Sequence, residues 1–292
     1  MSKILVLAGG SVKGAFQAGV IRSVFESGFR PDAIYGISAG SLNAAFLVNQ
    51  LGRQTIDGEP LDYIKAAEDL WDFWETRITN PTNLFQPLNL FQLGYTAIVK
   101  KFRGLVDMKP LQSLISDVLN IRNLHASPIG IKVGAVNVFD GGIKYVDPSV
   151  EHFFDYLMAS SAIPILMPVV KINNEAKRSF LDGGLRDVSP IKKAIEDGAT
   201  EIVSISCHPE QIEGGDFDSG DLLALVDRVM DIAVNEILNA DLREAQLAGE
   251  FGKNKVKISS YRPSQALQID MQTFNKYDIR RLLELGYAMD ES

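Results

Sequence analysis

The serine best placed for nucleophilic chemistry is Ser38, the centre of the pentapeptide Gly36-Ile37-Ser38-Ala39-Gly40. This G-x-S-x-G pattern lies between an apolar run and a helical pattern, the context in which a sharp turn lifts a serine hydroxyl out of a sheet. The helix N-terminus that follows would supply free N–H groups and a dipole that favours negative charge. The same residues also suit a simple helix cap, so the pentapeptide alone leaves both interpretations open.

A second strand-to-helix turn is rich in glycine and reads Gly9-Gly10-Ser11-Val12-Lys13-Gly14. Consecutive glycines let several backbone N–H groups point at one spot, which suits either a phosphate or the oxyanion of an acyl-transfer intermediate. The spacing matches neither the P-loop nor the G-x-G-x-x-G fingerprint, although a phosphate site stays open. Two anion-binding turns in adjacent units, one of them carrying a serine, are hard to explain by chance.

Two Asp-Gly-Gly triplets follow later in the chain, beginning at Asp140 and Asp182. Asp-Gly is common turn chemistry, and a hairpin turn explains the triplet at Asp140 fully. The triplet at Asp182 follows the apolar pair Phe180-Leu181 and would, by itself, also be interpreted as a turn.

In combination these motifs resemble the patatin-like phospholipases. The order G-G-S-x-K-G, G-I-S-A-G and D-G-G matches that family, and Ala159–Pro164 with Pro168 resembles the segment that precedes its aspartate. The resemblance runs from residue 4 to about residue 206. Two positions depart from it: Ser11 stands where the family more often has a third glycine, and Val188 where many members have asparagine. We expect both to affect substrate fit more than reaction type.

The resemblance implies a role for each motif. Ser38 would be the nucleophile and Asp182 the general base, because a serine hydroxyl is a weak nucleophile unless a base takes its proton. Burial would make the aspartate a better base by raising its pKa. The oxyanion hole would consist of the backbone N–H groups of Gly9, Gly10, Ser11 and Val12. The remaining motif residues are Lys13, whose role is expected to be structural or solvated, and Gly14, Gly36, Gly40, Gly183 and Gly184.

The activity implied is hydrolysis of acyl esters in phospholipid, lysophospholipid or a similar lipid through an acyl-serine intermediate. It requires no metal ion and no cofactor. Three alternatives stay open. An α/β-hydrolase triad could use Ser38, an aspartate and His208; a non-catalytic lipid or acyl-carrier binding protein could keep the pocket without turnover; and a nucleotide-binding protein could use the glycine loop.

Composition limits the partners of the chain. Its 292 residues are 46% hydrophobic and 23% charged, which is typical of a globular protein. The 29 Lys and Arg against 37 Asp and Glu give a formal net charge of -8, which argues against nucleic acid and against general attraction to an anionic bilayer. With Cys207 as the one cysteine, no intrachain disulfide can form, so a reducing, cytoplasmic location is expected.

Positioning these motifs requires two strand-turn-helix units in the first 52 residues. The continuous apolar run at 4–7 predicts a strand buried on both faces, and helical spacing begins at Ala15. A second unit follows with a strand at 33–37 and a helix at 42–48. Later patterns predict helices at 61–78, 190–197, 222–237 and 279–285, and strands at 129–138, 143–146, 169–172, 180–181 and 202–206.

These units predict an α/β protein with a patatin-like three-layer fold, in which helices flank a central, mostly parallel sheet. We expect one domain over 1–292, with the motif-bearing core at about 4–206 and a helical C-terminal part at about 221–292. Residues 84–103 combine apolar residues with a basic end, which suits a transient contact with a membrane surface or, alternatively, a core-packing insertion.

Overall fold

The computed structural model describes residues 2–88, 104–212, 220–251 and 256–291. The strands are β1 (Ser2–Leu7), β2 (Ala33–Ile37), β3 (Gln86–Pro87), β4 (Val106–Asp107), β5 (Gly130–Asn137), β6 (Ile143–Val146), β7 (Val170–Lys171), β8 (Ser179–Asp182), β9 (Ala199–Ile205) and β10 (Lys257–Tyr261). The helices are α1 (Gly14–Glu26), α2 (Ala39–Asp57), α3 (Tyr63–Arg77), α4 (Lys109–Val118), α5 (Ile121–Ala126), α6 (Phe153–Ser160), α7 (Ile191–Glu196), α8 (Leu222–Phe251) and α9 (Lys276–Tyr287).

The main sheet has eight strands in the described residues, in the order β10-β9-β1-β2-β5-β8-β7, with β6 also paired to β5. The five strands from β10 to β5 are parallel. Strand β8 runs antiparallel to β5, and β7 runs antiparallel to β8. The predicted α/β fold with a mostly parallel sheet is therefore confirmed.

Strand β1 shows why helices must cover both faces of this sheet. Leu5 and Leu7 belong to the large core cluster that α1, α2 and α3 help to form. Ile4 and Val6 point to the opposite face and pack with Ile191 of α7. Because successive side chains of a strand point to opposite faces, a continuous apolar run needs an apolar layer on each side. The three layers follow directly from that run.

Most elements fall where the sequence predicts them. Helix α3 confirms the helical pattern at 61–78, and β5 with β6 confirms the hairpin around Asp140. The sequence did not predict the short pair β3 and β4, helices α4 to α6 or strand β10. Within the described ranges, no helix has both the length and the apolarity needed to cross a membrane.

Helix α9 crosses α1 so closely that backbone touches backbone. A Cβ atom on Gly19 would lie 2.1 Å from the carbonyl oxygen of Leu283, and one on Gly286 would lie 2.0 Å from that of Phe16. These distances leave no room for a side chain at either crossing point. The C-terminal helix is thereby fixed against the helix that follows the glycine loop.

Replacing Gly286 by Ala is expected to destabilise the fold. Alanine favours a helix by about 1 kcal/mol over glycine, but the added methyl group would overlap the Phe16 carbonyl, and such overpacking costs about 1–3 kcal/mol. Urea unfolding should therefore show a net loss of stability. The matched control is Leu285→Ala, because Leu285 is exposed on the same helix and should have little effect. A raised midpoint for Gly286→Ala would contradict the close crossing.

Candidate active site

Neighbouring parallel strands bring the two predicted turns to the same edge of the sheet. Strands β1 and β2 pair directly, so the residues that follow Leu7 and Ile37 emerge side by side. A Cβ atom on Gly9 would lie 3.4 Å from the Cβ atom of Ser38. The glycine loop and the candidate nucleophile are therefore in van der Waals contact.

The turn at Ser38 is sharp and strained. Its φ of 53° and ψ of -126° are unfavourable for a residue with a side chain, at a cost of about 1–3 kcal/mol. Glycine is needed on either side: a Cβ atom on Gly36 would lie 2.5 Å from the carbonyl oxygen of Gly40, and one on Gly40 would lie 2.2 Å from that of Leu7. The Ser38 N–H group donates to Ser160 Oγ at 3.0 Å, which holds the turn from the far side.

The side chain of Ser38 does not cap helix α2. No capping hydrogen bond joins it to the first turn, although the backbone carbonyl of Ser38 accepts hydrogen bonds from the N–H and hydroxyl groups of Ser41. Ser38 therefore occupies the N-cap position of α2, but its side chain does not act as the cap. The Ser38 residue is 7% exposed and lines a cleft with Asp182.

Antiparallel pairing brings Asp182 close to Ser38 from a distant part of the sequence. Asp182 ends β8 and pairs with Ala135 of β5, while Gly134 of β5 pairs with Ile37 just before Ser38. The chain then passes so close to β5 that a Cβ atom on Gly183 would lie 2.6 Å from the Gly134 carbonyl oxygen. This close approach therefore requires glycine at position 183, in the Asp-Gly-Gly triplet that begins at Asp182.

Burial distinguishes Asp182 from the other Asp-Gly-Gly aspartate. In both turns the carboxylate Oδ1 accepts the N–H group two residues on, from Gly184 at 2.8 Å and from Gly142 at 2.9 Å. Asp140 is exposed, whereas Asp182 is 6% exposed. Burial raises the pKa of Asp182 to about 6, against the opposing effects of the Gly184 N–H group and the Ser38 side chain. Asp182 is therefore the carboxylate with the properties of a base.

The structure corrects one predicted member of the oxyanion hole. The N–H group of Gly9 donates to the Val188 carbonyl at 3.0 Å and so cannot also face an oxyanion. Within the described residues, the N–H groups of Gly10 and Ser11 have no protein acceptor. Those two groups, with Val12 beside them, stay as the candidate donors.

Close packing explains the shape of the rest of the loop. A Cβ atom on Gly10 would lie 2.5 Å from that of Cys207, and one on Gly14 would lie 2.8 Å from the Trp74 ring. Ser11 has a φ of 50°, the left-handed region that glycine adopts most easily, so a glycine would fit its place without strain. Burial raises the pKa of the Cys207 thiol to about 12, which keeps it protonated and unreactive.

An ion-pair cluster beside the loop was not predicted from the sequence. Asp231 of α8 lies 3.2 Å from Lys13 Nζ and 3.2 Å from His208 Nε2. Burial lowers the pKa of His208, and the Lys13 charge adds to this effect. Burial opposes ionisation of Asp231, but His208 and Lys13 together hold its pKa well below the usual range. Lys13 is thus part of a structural ion pair, and His208 is held by α8.

The other two histidines lie apart from this site. His125 is exposed at the end of α5, and His152 begins α6 near Asp155. The described residues contain no group of three or more His, Cys, Asp or Glu side chains placed to hold a metal ion.

The carboxyl group of Asp241 anchors the segment that holds the glycine loop. Asp241 of α8 accepts hydrogen bonds from the N–H groups of Val188 at 3.0 Å and Ser189 at 3.2 Å, and the charge of Asp187 acts on its carboxyl. Burial raises the pKa of both carboxyls, and the charge of Asp187 helps to raise that of Asp241 to about 7. Through these two hydrogen bonds, Asp241 joins α8 to the segment whose Val188 carbonyl accepts the N–H group of Gly9.

The predicted membrane-contact segment is described only at its start. Residues 89–103 lie outside the described residues. Phe85 is buried in the core and lines the cleft next to Ser38, and Leu84 packs beside it. At this start of the segment, Phe85 therefore packs in the core, and the choice between a membrane contact and a core-packing insertion for 84–103 stays a prediction.

The chain is similar to known proteins in sequence and in structure. The sequence model of a family described as "Patatin-like phospholipase" matches residues 5–195. "Uncharacterized protein YjjU" of Escherichia coli (strain K12) is 28% identical over 216 residues, which are 71% of this chain and 52% of that protein, so the chain spans about half the length of this curated relative. The crystal structure of VipD from Legionella pneumophila aligns with a TM-score of 0.41 and 11% identity, over 98% of this chain and 65% of that one.

The burial of Asp182 should be visible in the pH dependence of stability. Its raised pKa means that folding favours the protonated form, so stability is lost as the pH rises from about 4 to about 6. Asp182→Asn removes this loss, so the variant should gain up to about 3 kcal/mol on the parent between pH 4 and pH 8. Urea unfolding at several pH values measures the difference in free energy of unfolding between the variant and the parent. Other titrating groups contribute equally to both proteins and cancel in this difference. The matched control, Asp140→Asn, should show no such gain.

Proposed function

Because the chain belongs to the patatin-like phospholipase family, we propose that it is a serine-dependent lipid acyl hydrolase in which Ser38 is the nucleophile and Asp182 the general base. The family assignment supports hydrolase activity on lipids. The observation that carries the finer assignment is the side-by-side burial of Ser38 and Asp182, with the Asp182 pKa raised to about 6. The substrate is an acyl ester of a phospholipid, lysophospholipid or similar lipid, and the cytoplasmic location stays a prediction.

Acylation needs one base and one acid, and Asp182 serves as both. The Ser38 oxygen attacks the ester carbonyl carbon while its proton passes to Asp182, so that a C–O bond forms and the carbonyl oxygen becomes negative. Collapse of this intermediate breaks the bond to the alcohol oxygen. Asp182 then returns its proton to that oxygen. The alcohol departs, and Ser38 remains as an acyl ester.

Deacylation repeats the sequence with water. Asp182 takes a proton from a water molecule in the open cleft as its oxygen attacks the acyl carbon. The Ser38 oxygen leaves and recovers the proton from Asp182, and the fatty acid is released. A base with a pKa near 6 suits this cycle, because it is mostly ionised at neutral pH and still strong enough to accept a proton.

Backbone donors stabilise the negative charge in both steps. The N–H groups of Gly10 and Ser11 have no protein acceptor within the described residues and are directed by a turn that close packing fixes. Preorganised donors of this kind contribute several kcal/mol to a transition state, on the order of 3–4 kcal/mol for one donor. The N-terminus of α2, which begins just after Ser38, favours the same charge.

The environment of His208 argues against the triad alternative. Its Nε2 atom faces Asp231, its Nδ1 atom is buried without a protein partner in the described residues, and burial keeps the ring neutral. Neither Ser38 nor Asp182 has it as a hydrogen-bond partner. We therefore assign His208 to the support of α8 and the glycine loop.

The nucleophile is tested by Ser38→Ala. Removal of the attacking oxygen should lower kcat for p-nitrophenyl ester hydrolysis by several orders of magnitude, while circular dichroism and the melting temperature stay close to those of the parent. Labelling by a fluorophosphonate probe, followed by intact mass, should be lost in the same variant. Activity within about tenfold of the parent would exclude Ser38 as the nucleophile. A parent that neither turns over nor labels would favour the non-catalytic binding protein.

The dyad is separated from the triad by two substitutions. Asp182→Asn should abolish activity because an amide cannot accept the proton, whereas His208→Gln should retain most of it. The control is Asp140→Asn, which changes the same kind of turn at an exposed site and should have no effect. An inactive His208→Gln protein that still unfolds cooperatively would restore the triad, and an active Asp182→Asn would remove the proposed base.

A further inference from the structure

Ser38 lies where two cavities of different character meet. A wide cleft of about 610 Å³ carries charged groups on its walls, among them Lys13, Asp182 and Asp231. A narrow cavity of about 70 Å³ on the other side is lined almost entirely by apolar side chains. The two share Ser11, Ser38, Phe85, Ile163, Met167 and Met271. An ester bound at Ser38 thus has two directions in which its two halves can extend.

The position of Asp182 decides which half goes where. The alcohol oxygen must receive its proton from Asp182 when it leaves, so it must lie on the side that Asp182 faces. Among the described residues that line these cavities, Asp182 belongs to the wide cleft and not to the narrow cavity. Water for deacylation must also reach Asp182, and the wide cleft admits it. The acyl chain is left with the apolar side.

We infer that the narrow cavity beside Ser38 receives the acyl chain and limits the preferred acyl group to about six to eight carbons. This inference rests on the proposed function and adds to it a chain-length class and the residues that set it.

The volume gives the length. Because about 10–15 Å³ of such space holds one water-sized group, 70 Å³ takes about five to seven methylene groups beyond the carbonyl carbon. Each methylene placed in an apolar pocket raises affinity by about fourfold, so affinity should rise with chain length until the cavity is full. Longer chains must either push the walls apart or leave methylene groups in water.

Phe46 and Phe73 form the far wall. The walls of the cavity include Ala39, Leu42 and Phe46, which follow one face of α2 away from Ser38. At 1.5 Å of rise per residue, Phe46 lies about 12 Å along the helix from Ser38, the farthest of the three. Its ring packs against Phe73 with centroids 5.0 Å apart. Phe46 is part of the packed core and Phe73 is a partly buried residue that packs against it, so this wall will not yield easily.

The experiment measures kcat/KM for p-nitrophenyl esters with acyl chains from two to sixteen carbons, in the parent and in Phe46→Leu and Phe46→Ala. The parent should show a maximum near six to eight carbons and fall by about tenfold or more for the longest chains. Truncating Phe46 leaves space that the neighbours fill only in part, so the maximum should move to longer chains, further for Ala than for Leu.

Phe25→Leu is the matched control, because it makes the same change at a buried phenylalanine that lines neither cavity. It should keep the parent's chain-length profile even where it lowers the melting temperature. A second measurement that does not require turnover is the rate of Ser38 labelling by hexyl and hexadecyl phosphonates, followed by intact mass. The hexyl probe should label the parent faster, and Phe46→Ala should narrow the difference.

Two outcomes would overturn the inference while leaving the proposed function intact. One is a maximum at the longest chains in the parent, and the other is a profile that Phe46→Leu and Phe46→Ala leave unchanged. Failure of the proposed function has a different signature: the parent and Ser38→Ala would then be equally inactive on esters of every length, and neither phosphonate would label the protein.

Discussion

The end of strand β1 and the start of helix α2 approach more closely than side chains permit, and the geometry of the site depends on this contact. The hydrogen on Gly40 faces the Leu7 carbonyl where a Cβ atom would lie only 2.2 Å from the oxygen. Backbone held against backbone cannot adjust by changing rotamers, so the strained turn at Ser38 has no easy relaxation. The glycine loop begins at Gly9, two residues after Leu7, and therefore meets Ser38 at a fixed distance. One packing constraint therefore positions both the candidate nucleophile and the candidate oxyanion donors.

Two aspartates on the walls of the same cleft show how burial and charge can oppose one another. Asp182 has no cationic partner among the contacts that shift its pKa, so burial dominates and the pKa rises to about 6. Asp231 is partly buried, yet Lys13 and His208 outweigh that burial and keep it ionised. Environments that push the pKa values of two like groups apart are typical of a site where one group moves protons and the other holds structure.

The spacing of glycine and serine predicted the strand-to-helix turns, because only certain residue types fit such turns. These steric limits act on neighbouring residues and are therefore visible in a short stretch of sequence. The apolar run at Ile4–Leu7 likewise predicted a strand covered on both faces. Contacts between distant segments left no such signal. The Gly9 N–H group donates to the Val188 carbonyl, and Lys13 forms an ion pair with Asp231 of α8. Neither partner can be identified from the spacing of residues in the sequence. Helices α4 and α5 were missed because their region follows a stretch of mixed Pro, Asn, Phe and Leu without a clean period.

The raised pKa values of Asp187 and Asp241 couple the position of α8 to acid-base equilibrium. Partial burial raises both pKa values, and the charge of Asp187 raises that of Asp241 further, so the folded arrangement favours protonation of this pair. Drawn apart into water, each would return to a pKa near 3.9 and ionise at neutral pH. Lifting α8 from the segment after β8 therefore releases a proton to the solvent. Alkaline conditions favour that release and acidic conditions oppose it. The packing of α8 beside the glycine loop therefore depends on the proton concentration of the surrounding solvent.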